Sequence, residues 1–168
     1  MNQRRVAITG LGVVSPLGHD TRSTWQGLMA GSSGMGSIQQ FDASGFPVRF
    51  AAEVKHYTPR VVHTGKHHRF TMPFTQFALD AATEALEDAG IHPKAMLDNP
   101  RFGLVAGSGM MTGDFDHLSR FQQSAAPNGT IDWNILQQQG DAFYRLNDFG
   151  RTASNSGLSL LIQEFGMT

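Results

Sequence analysis

The chain has 168 residues, and its 13 basic and 14 acidic side chains give a formal net charge of -1, so its length fits one ordinary domain with a real core. That balance leaves no basic footprint for nucleic acid and no acidic tail. With no cysteine in the chain, a disulfide framework, a zinc ribbon and a thiol nucleophile supplied by these residues are all excluded.

The run Arg4 to Gly10 is short, β-branched and closed by glycine, which predicts a strand buried on both faces and central in a sheet. Its apolar part, Val6 to Ile8, is too short for a signal-peptide core or a membrane span, so the expected address is the cytoplasm, with no membrane contact. Asp20 or Thr21 then caps a helix that carries Trp25, Leu28 and Met29 on one face and ends at Gly31. Residues 31 to 47 are loop-like, and Val48 to Val54 alternates enough to predict a second strand near an edge.

The strongest helical signal runs from His67 to Ala89. Phe70, Phe74, Phe77, Ala78, Ala81 and Ala85 repeat at helical spacing, Leu79, Ala82 and Leu86 form a second face, and Gly90 closes the element. Proline is tolerated only in a first turn, so Pro73 predicts that the regular helix begins near Arg69. Arg101 to Ala106 reads as a third buried strand running into the small-residue loop Gly107 to Gly113, where α/β proteins place ligands. A short amphipathic helix holds Leu118, Phe121 and Gln122 and is broken at Pro127-Asn128-Gly129. The last helix, Thr152 to Phe165, carries Leu158, Leu161, Ile162 and Phe165, with Gly166 as its stop. This alternation predicts an α/β fold with a largely parallel sheet.

Two patterns invite other chemistry. Gly10-Leu11-Gly12-Val13-Val14-Ser15 has the outline of a dinucleotide fingerprint, but Pro16, Leu17 and Gly18 postpone the helix whose amides would meet a pyrophosphate. His63, Lys66, His67, His68 and Arg69 cluster ligand-capable side chains, yet a zinc site needs further ligands, and a solvated basic helix start explains them as well. The sequence therefore assigns no cofactor and no metal.

Taken together, Arg4 to Gly18 (RRVAITGLGVVSPLG) resembles the opening of the β-ketoacyl synthases of fatty-acid and polyketide synthesis. Thr24 to Gly34 followed by Phe41-Asp42 is similar to that family's first helix and adjoining loop, and Ala78 to Gly90, Arg101 to Gly109 and Thr152 to Met167 resemble its later blocks. The resemblance implies a thiolase-like layered α/β fold, of which this chain supplies an incomplete N-terminal half with a mixed, mostly parallel sheet flanked by helices. It also implies that the nucleophilic cysteine, two histidines and a lysine of the family lie beyond the stretch that residues 1–168 resemble, so the chain is expected to hold no catalytic residue and to be inactive alone.

Substrate contact is expected from Gly107, Ser108, Gly109 and Met110, because the resemblance places Met110 where the family has an apolar gate residue at the acyl pocket, near the subunit interface. Methionine, flexible and apolar, suits that place. Read without the resemblance, the glycines turn the chain out of the sheet and Met110 fills a gap. Asn155 lines up with an asparagine of the family helix leading toward the nucleophile, and Phe149 falls in the stretch reaching the neighbouring subunit's pocket. The alternatives are a helix-end or hydrogen-bonding role for Asn155 and core packing for Phe149.

The family reaction implied is a decarboxylative condensation between an acyl group and malonyl carrier protein. Acyl carrier protein, acyl thioesters, and a homodimer mate or ketosynthase-like partner chain are the implied partners. A second reading makes the chain a non-catalytic scaffold that pairs with another ketosynthase-like subunit. Either way, uncovered strand edges predict self-association of the isolated chain.

Overall fold

The computed structural model describes residues 5–60, 71–92, 102–107, 115–126, 128–143, 153 and 155–166. Helix α1 spans Thr21–Met29. Of the two expected caps, Asp20 is the one used: its backbone is extended, its carboxylate accepts the Ser23 N–H at 2.6 Å, and the Ser23 hydroxyl faces the Asp20 N–H in return. This reciprocal arrangement satisfies two of the donors a helix start leaves open. Trp25, Leu28 and Met29 share a face as expected, but α1 buries no residue and Trp25 is 62% exposed.

Strand β1 (Met35–Ser37) pairs antiparallel with β2 (Phe50–Ala52) in the register Met35↔Ala52, Gly36↔Ala51, Ser37↔Phe50. β2 falls inside the expected strand, whereas β1 lies in a stretch expected to be loop. Directly opposed residues share a face of a ribbon. Met35, Ser37, Phe50 and Ala52 thus form the solvent side, with Gly36 and Ala51 half-buried beneath.

Helix α2 spans Pro73–Asp88, ends at Ala89, and is followed by Gly90 at φ 67°. It starts at Pro73, four residues later than the start expected near Arg69. Met72 before it is extended at ψ 158°, the conformation a following proline ring enforces, and proline then takes the first helical position. Helices α3 (Phe115–Ala125) and α4 (Trp133–Phe143) pack against each other. Sequence periodicity found α3 and missed α4, which begins where the Asp132 carboxylate accepts the N–H groups of Asn134 and Ile135.

Helix α5 (Ser156–Phe165) is shorter at its start than expected and stops, as expected, at Gly166 in the left-handed region, φ 64°. It packs against α2 and forms the core, in which Leu79, fully buried, meets Leu160, Leu161 and Phe165, with Ala82, Leu86, Ile91, Phe102 and Leu104 around them. The Leu79 face of α2 is therefore the one that builds this core, while Phe74 on the other face is exposed and Phe77 half-buried.

The first and third expected strands are corrected. Among the described residues neither 5–14 nor 102–107 belongs to a β ladder, and Val6 and Ile8 are 94% and 83% exposed. Phe102 and Leu104 alternate toward the core, while Gly103 between them is exposed and Val105 beyond them stands 99% exposed, so this run is covered on one side only. The physical reason at the N-terminal run is its bond to α2. Gly10 and Gly12 press against the helix backbone, where a Cβ on Gly10 would overlap the Ala85 carbonyl and one on Gly12 the Ala81 carbonyl. The intervening amides turn to carboxylates, Leu11 N–H to Asp88 at 3.0 Å and Val13 N–H to Glu84 at 2.9 Å.

Candidate functional site

Two of the six expected substrate-contacting residues lie among the described ones. Gly107 ends the run from Phe102, exposed, with open space where a side chain would stand. Asn155 occupies the N-cap position of α5 at φ -96° and ψ 1°, and its side chain makes no capping hydrogen bond. Its carbonyl accepts the Ser159 N–H at 2.9 Å instead. Ser108, Gly109, Met110 and Phe149 lie outside the described residues, as does the cluster His63, Lys66, His67, His68 and Arg69.

The glycine run near the N-terminus has a clear geometry. A phosphate cradle needs free amides and an open approach. Here the Leu11 and Val13 amides are already given to Asp88 and Glu84, and the Gly10 and Gly12 faces are filled by the α2 backbone. The fingerprint outline in Gly10 to Ser15 therefore serves close packing of this run on α2. Among the described residues no group of three or more histidines and carboxylates is placed to hold a metal.

A polar cluster that sequence reading missed ties the segment before residue 61 to α2. Asp80 is 2% exposed. Its carboxylate accepts the Tyr57 hydroxyl and, at 2.9 Å, the Arg60 N–H, with Gln76 Nε2 at 3.4 Å on its other oxygen. Burial first, and then the Asp80 carboxylate, hold the Tyr57 phenol far above its ordinary range. A phenol so held stays protonated and serves as a donor, not as a base. Arg60 extends the cluster to Glu87 at 2.8 Å, a half-exposed ion pair, and that hydrogen bond raises the arginine further. The signal available in sequence was an aspartate in the middle of an alanine- and leucine-rich helix.

Aromatic rings hold the start of α3. Phe115 stacks on Phe41 with centroids 4.1 Å apart and planes 14° apart, and Phe46 meets both edge-on. An open cavity of about 400 Å³ lies at the C-terminal end of α2, lined by Thr83, Leu86, Glu87, Gly90, Ile91 and His92. No described helix is long and apolar enough to cross a membrane.

This arrangement of helices is shared with solved ketosynthases, thiolase-like proteins. The structure described as the ishigamide ketosynthase/chain length factor superposes with a TM-score of 0.72 at 25% identity, covering 98% of this chain and 38% of that one. The family profile "Beta-ketoacyl synthase, N-terminal domain" matches residues 3–138. The chain belongs to the β-ketoacyl synthase family. The 3-oxoacyl-[acyl-carrier-protein] synthase 2 of Coxiella burnetii is 48% identical over 110 residues, 66% of this chain and 26% of that protein. The tetracenomycin polyketide synthase ketoacyl synthase beta subunit of Streptomyces glaucescens is 38% identical over 153 residues, 91% of this chain and 36% of that protein. The 168 residues thus span between 26% and 36% of these two relatives.

Proposed function

We propose that this chain is the N-terminal domain portion, residues 1–168, of a 3-oxoacyl-[acyl-carrier-protein] synthase that elongates acyl chains by decarboxylative condensation with malonyl carrier protein, in fatty-acid or polyketide synthesis. The observation that carries this reading is the family match over residues 3–138, joined to relatives whose names state that activity. Condensation needs an activated nucleophile and donors for the developing oxyanion. The chain has no cysteine, so its own contribution is scaffold and pocket wall, and the thiol comes from polypeptide outside these residues.

In this reading Gly107, Ser108, Gly109, Met110, Phe149 and Asn155 contact the acyl substrate, and acyl carrier protein delivers it in the cytoplasm. Neither run is in a ladder among the described residues; in this reading Arg4 to Gly10 and Arg101 to Ala106 join a mixed, mostly parallel sheet only when polypeptide outside residues 1–168 pairs with them. The uncovered apolar side chains Val6, Ile8 and Val105, the last on a run whose Phe102 and Leu104 face the core, support that reading. A second reading, a non-catalytic chain that pairs with a ketosynthase-like subunit, is favoured by one observation. The beta-subunit relative from Streptomyces glaucescens aligns over 153 residues, against 110 for the Coxiella protein.

Condensation of acyl and malonyl carrier proteins tests both readings, run with the chain alone and with a second chain carrying the rest of a ketosynthase. The expected outcome is no product alone and product with a complementing chain. Turnover by the chain alone contradicts both.

A further inference from the structure

Glu84 stands where three elements meet. Its Oε2 accepts the Val13 N–H at 2.9 Å and its Oε1 the Thr21 N–H at 2.8 Å. Val13 belongs to the run lying on α2, and Thr21 is the first residue of α1. Asp88, one turn further along α2, accepts the Leu11 N–H. The Thr21 amide is one of the donors a helix start leaves open, and Asp20 is occupied with Ser23. A carboxylate 63 residues away in sequence thus completes the cap.

Both bonds are charge-assisted, and with both oxygens engaged the carboxylate is fixed in rotation. Losing either donor frees it to turn and weakens the other bond. We propose that Glu84 couples the Gly10–Val13 run to the start of α1, so that the two are held on α2 as one unit and loosening one loosens the other.

Thr21→Pro breaks the α1 end of the coupling. Proline is favoured at the first helical position, and Asp20 already has the extended backbone, φ -149° and ψ 169°, that a following proline requires. The substitution removes the Thr21 N–H and sets the ring Cδ in its place, which pushes the Glu84 Oε1, 2.8 Å from that nitrogen, off the α1 end while Val13 itself is unaltered. The Thr21 hydroxyl, buried without a partner among the described residues, is no loss.

Amide hydrogen exchange on the whole chain is the readout, with Leu161 in the core as the monitor of global fold. Coupling predicts that Val13 exchanges up to about tenfold faster in Thr21→Pro, the loss of roughly one hydrogen bond, while Leu11 keeps its rate. An unchanged Val13 rate overturns the proposal. Should Leu161 also lose protection, Glu84→Gln decides. Its single carbonyl acceptor is then shared, so coupling predicts faster exchange at both Val13 and Thr21, and an effect at one alone overturns the proposal.

Discussion

Gly12 and Ala81 touch backbone to backbone: a Cβ on Gly12 would overlap the Ala81 carbonyl oxygen and stand 2.8 Å from the Ala85 nitrogen. Neither is the yielding end of a side chain, so relief requires moving α2 or the N-terminal run. Gly12→Ala is expected to lower stability by about 3 kcal/mol, read by chemical denaturation. Gly45→Ala, with nothing within 4 Å of the new atom, should change it by less than about 0.5 kcal/mol.

The α2–α5 core makes a second contrast. Leu161→Ala removes a buried side chain packed with Leu79, Leu160 and Phe165, and should cost about 2–5 kcal/mol. Val105→Ala at a site 99% exposed should cost under about 0.5 kcal/mol in the isolated chain. Comparable losses at the two positions would show that Val105 is covered in solution.

Tyr57 ties alkaline stability to the Asp80 cluster. The folded pKa is raised above the unfolded 10.0, so the folded state holds the phenolic proton more tightly. Stability from this group is fully present below pH 10 and declines as pH rises from there toward the folded pKa. Tyr57→Phe should remove that alkaline decline and cost about 1–2 kcal/mol at neutral pH, since Asp80 loses one donor. Denaturation midpoints of both proteins from pH 8 to pH 11 check this, and parallel curves would exclude the Tyr57 phenol as its source.

Asp20 works in the opposite direction. Its hydrogen bonds to Ser23 hold the carboxyl below the ordinary aspartate value of 3.8, so its contribution is present above that pH and is lost as pH falls through the folded pKa. Asp20→Ala should cost about 1 kcal/mol at neutral pH and nothing once the carboxyl is protonated. Melting curves of the pair should converge in acid.

Exposure at Val6, Ile8 and Val105 predicts that the isolated chain self-associates. Light scattering should show dimers or larger species, reduced by Val6→Lys with Ile8→Lys. A stable monomer with a cooperative melt would contradict this expectation.

What could be read from the sequence was chemistry that acts within a few residues. Asp20 before an apolar triplet, Pro73 at a first turn, and Gly31, Gly90 and Gly166 after periodic runs mark helix ends by local sterics, and the structure follows them to within a few residues. What could not be read depends on distant partners. β1 pairs across a loop with no alternation in Met35-Gly36-Ser37 to announce it, and α4 hides in a glutamine-rich stretch whose one local mark is Asp132. Glu84 and Asp88 look like the solvated face of a helix until the amides they hold are known. Of the expected site, Gly107 and Asn155 alone can be placed, and Asn155 stands at the helix end that the residue-level reading offered as its alternative.

On the proposed function, residues 1–168 wall an acyl pocket while the thiol is held on other polypeptide. Intact-mass analysis after mixing acyl carrier protein thioester with the chain and a complementing ketosynthase polypeptide tests it most directly. The account predicts an acyl adduct on the complementing polypeptide and none on residues 1–168. An adduct on this chain would contradict it.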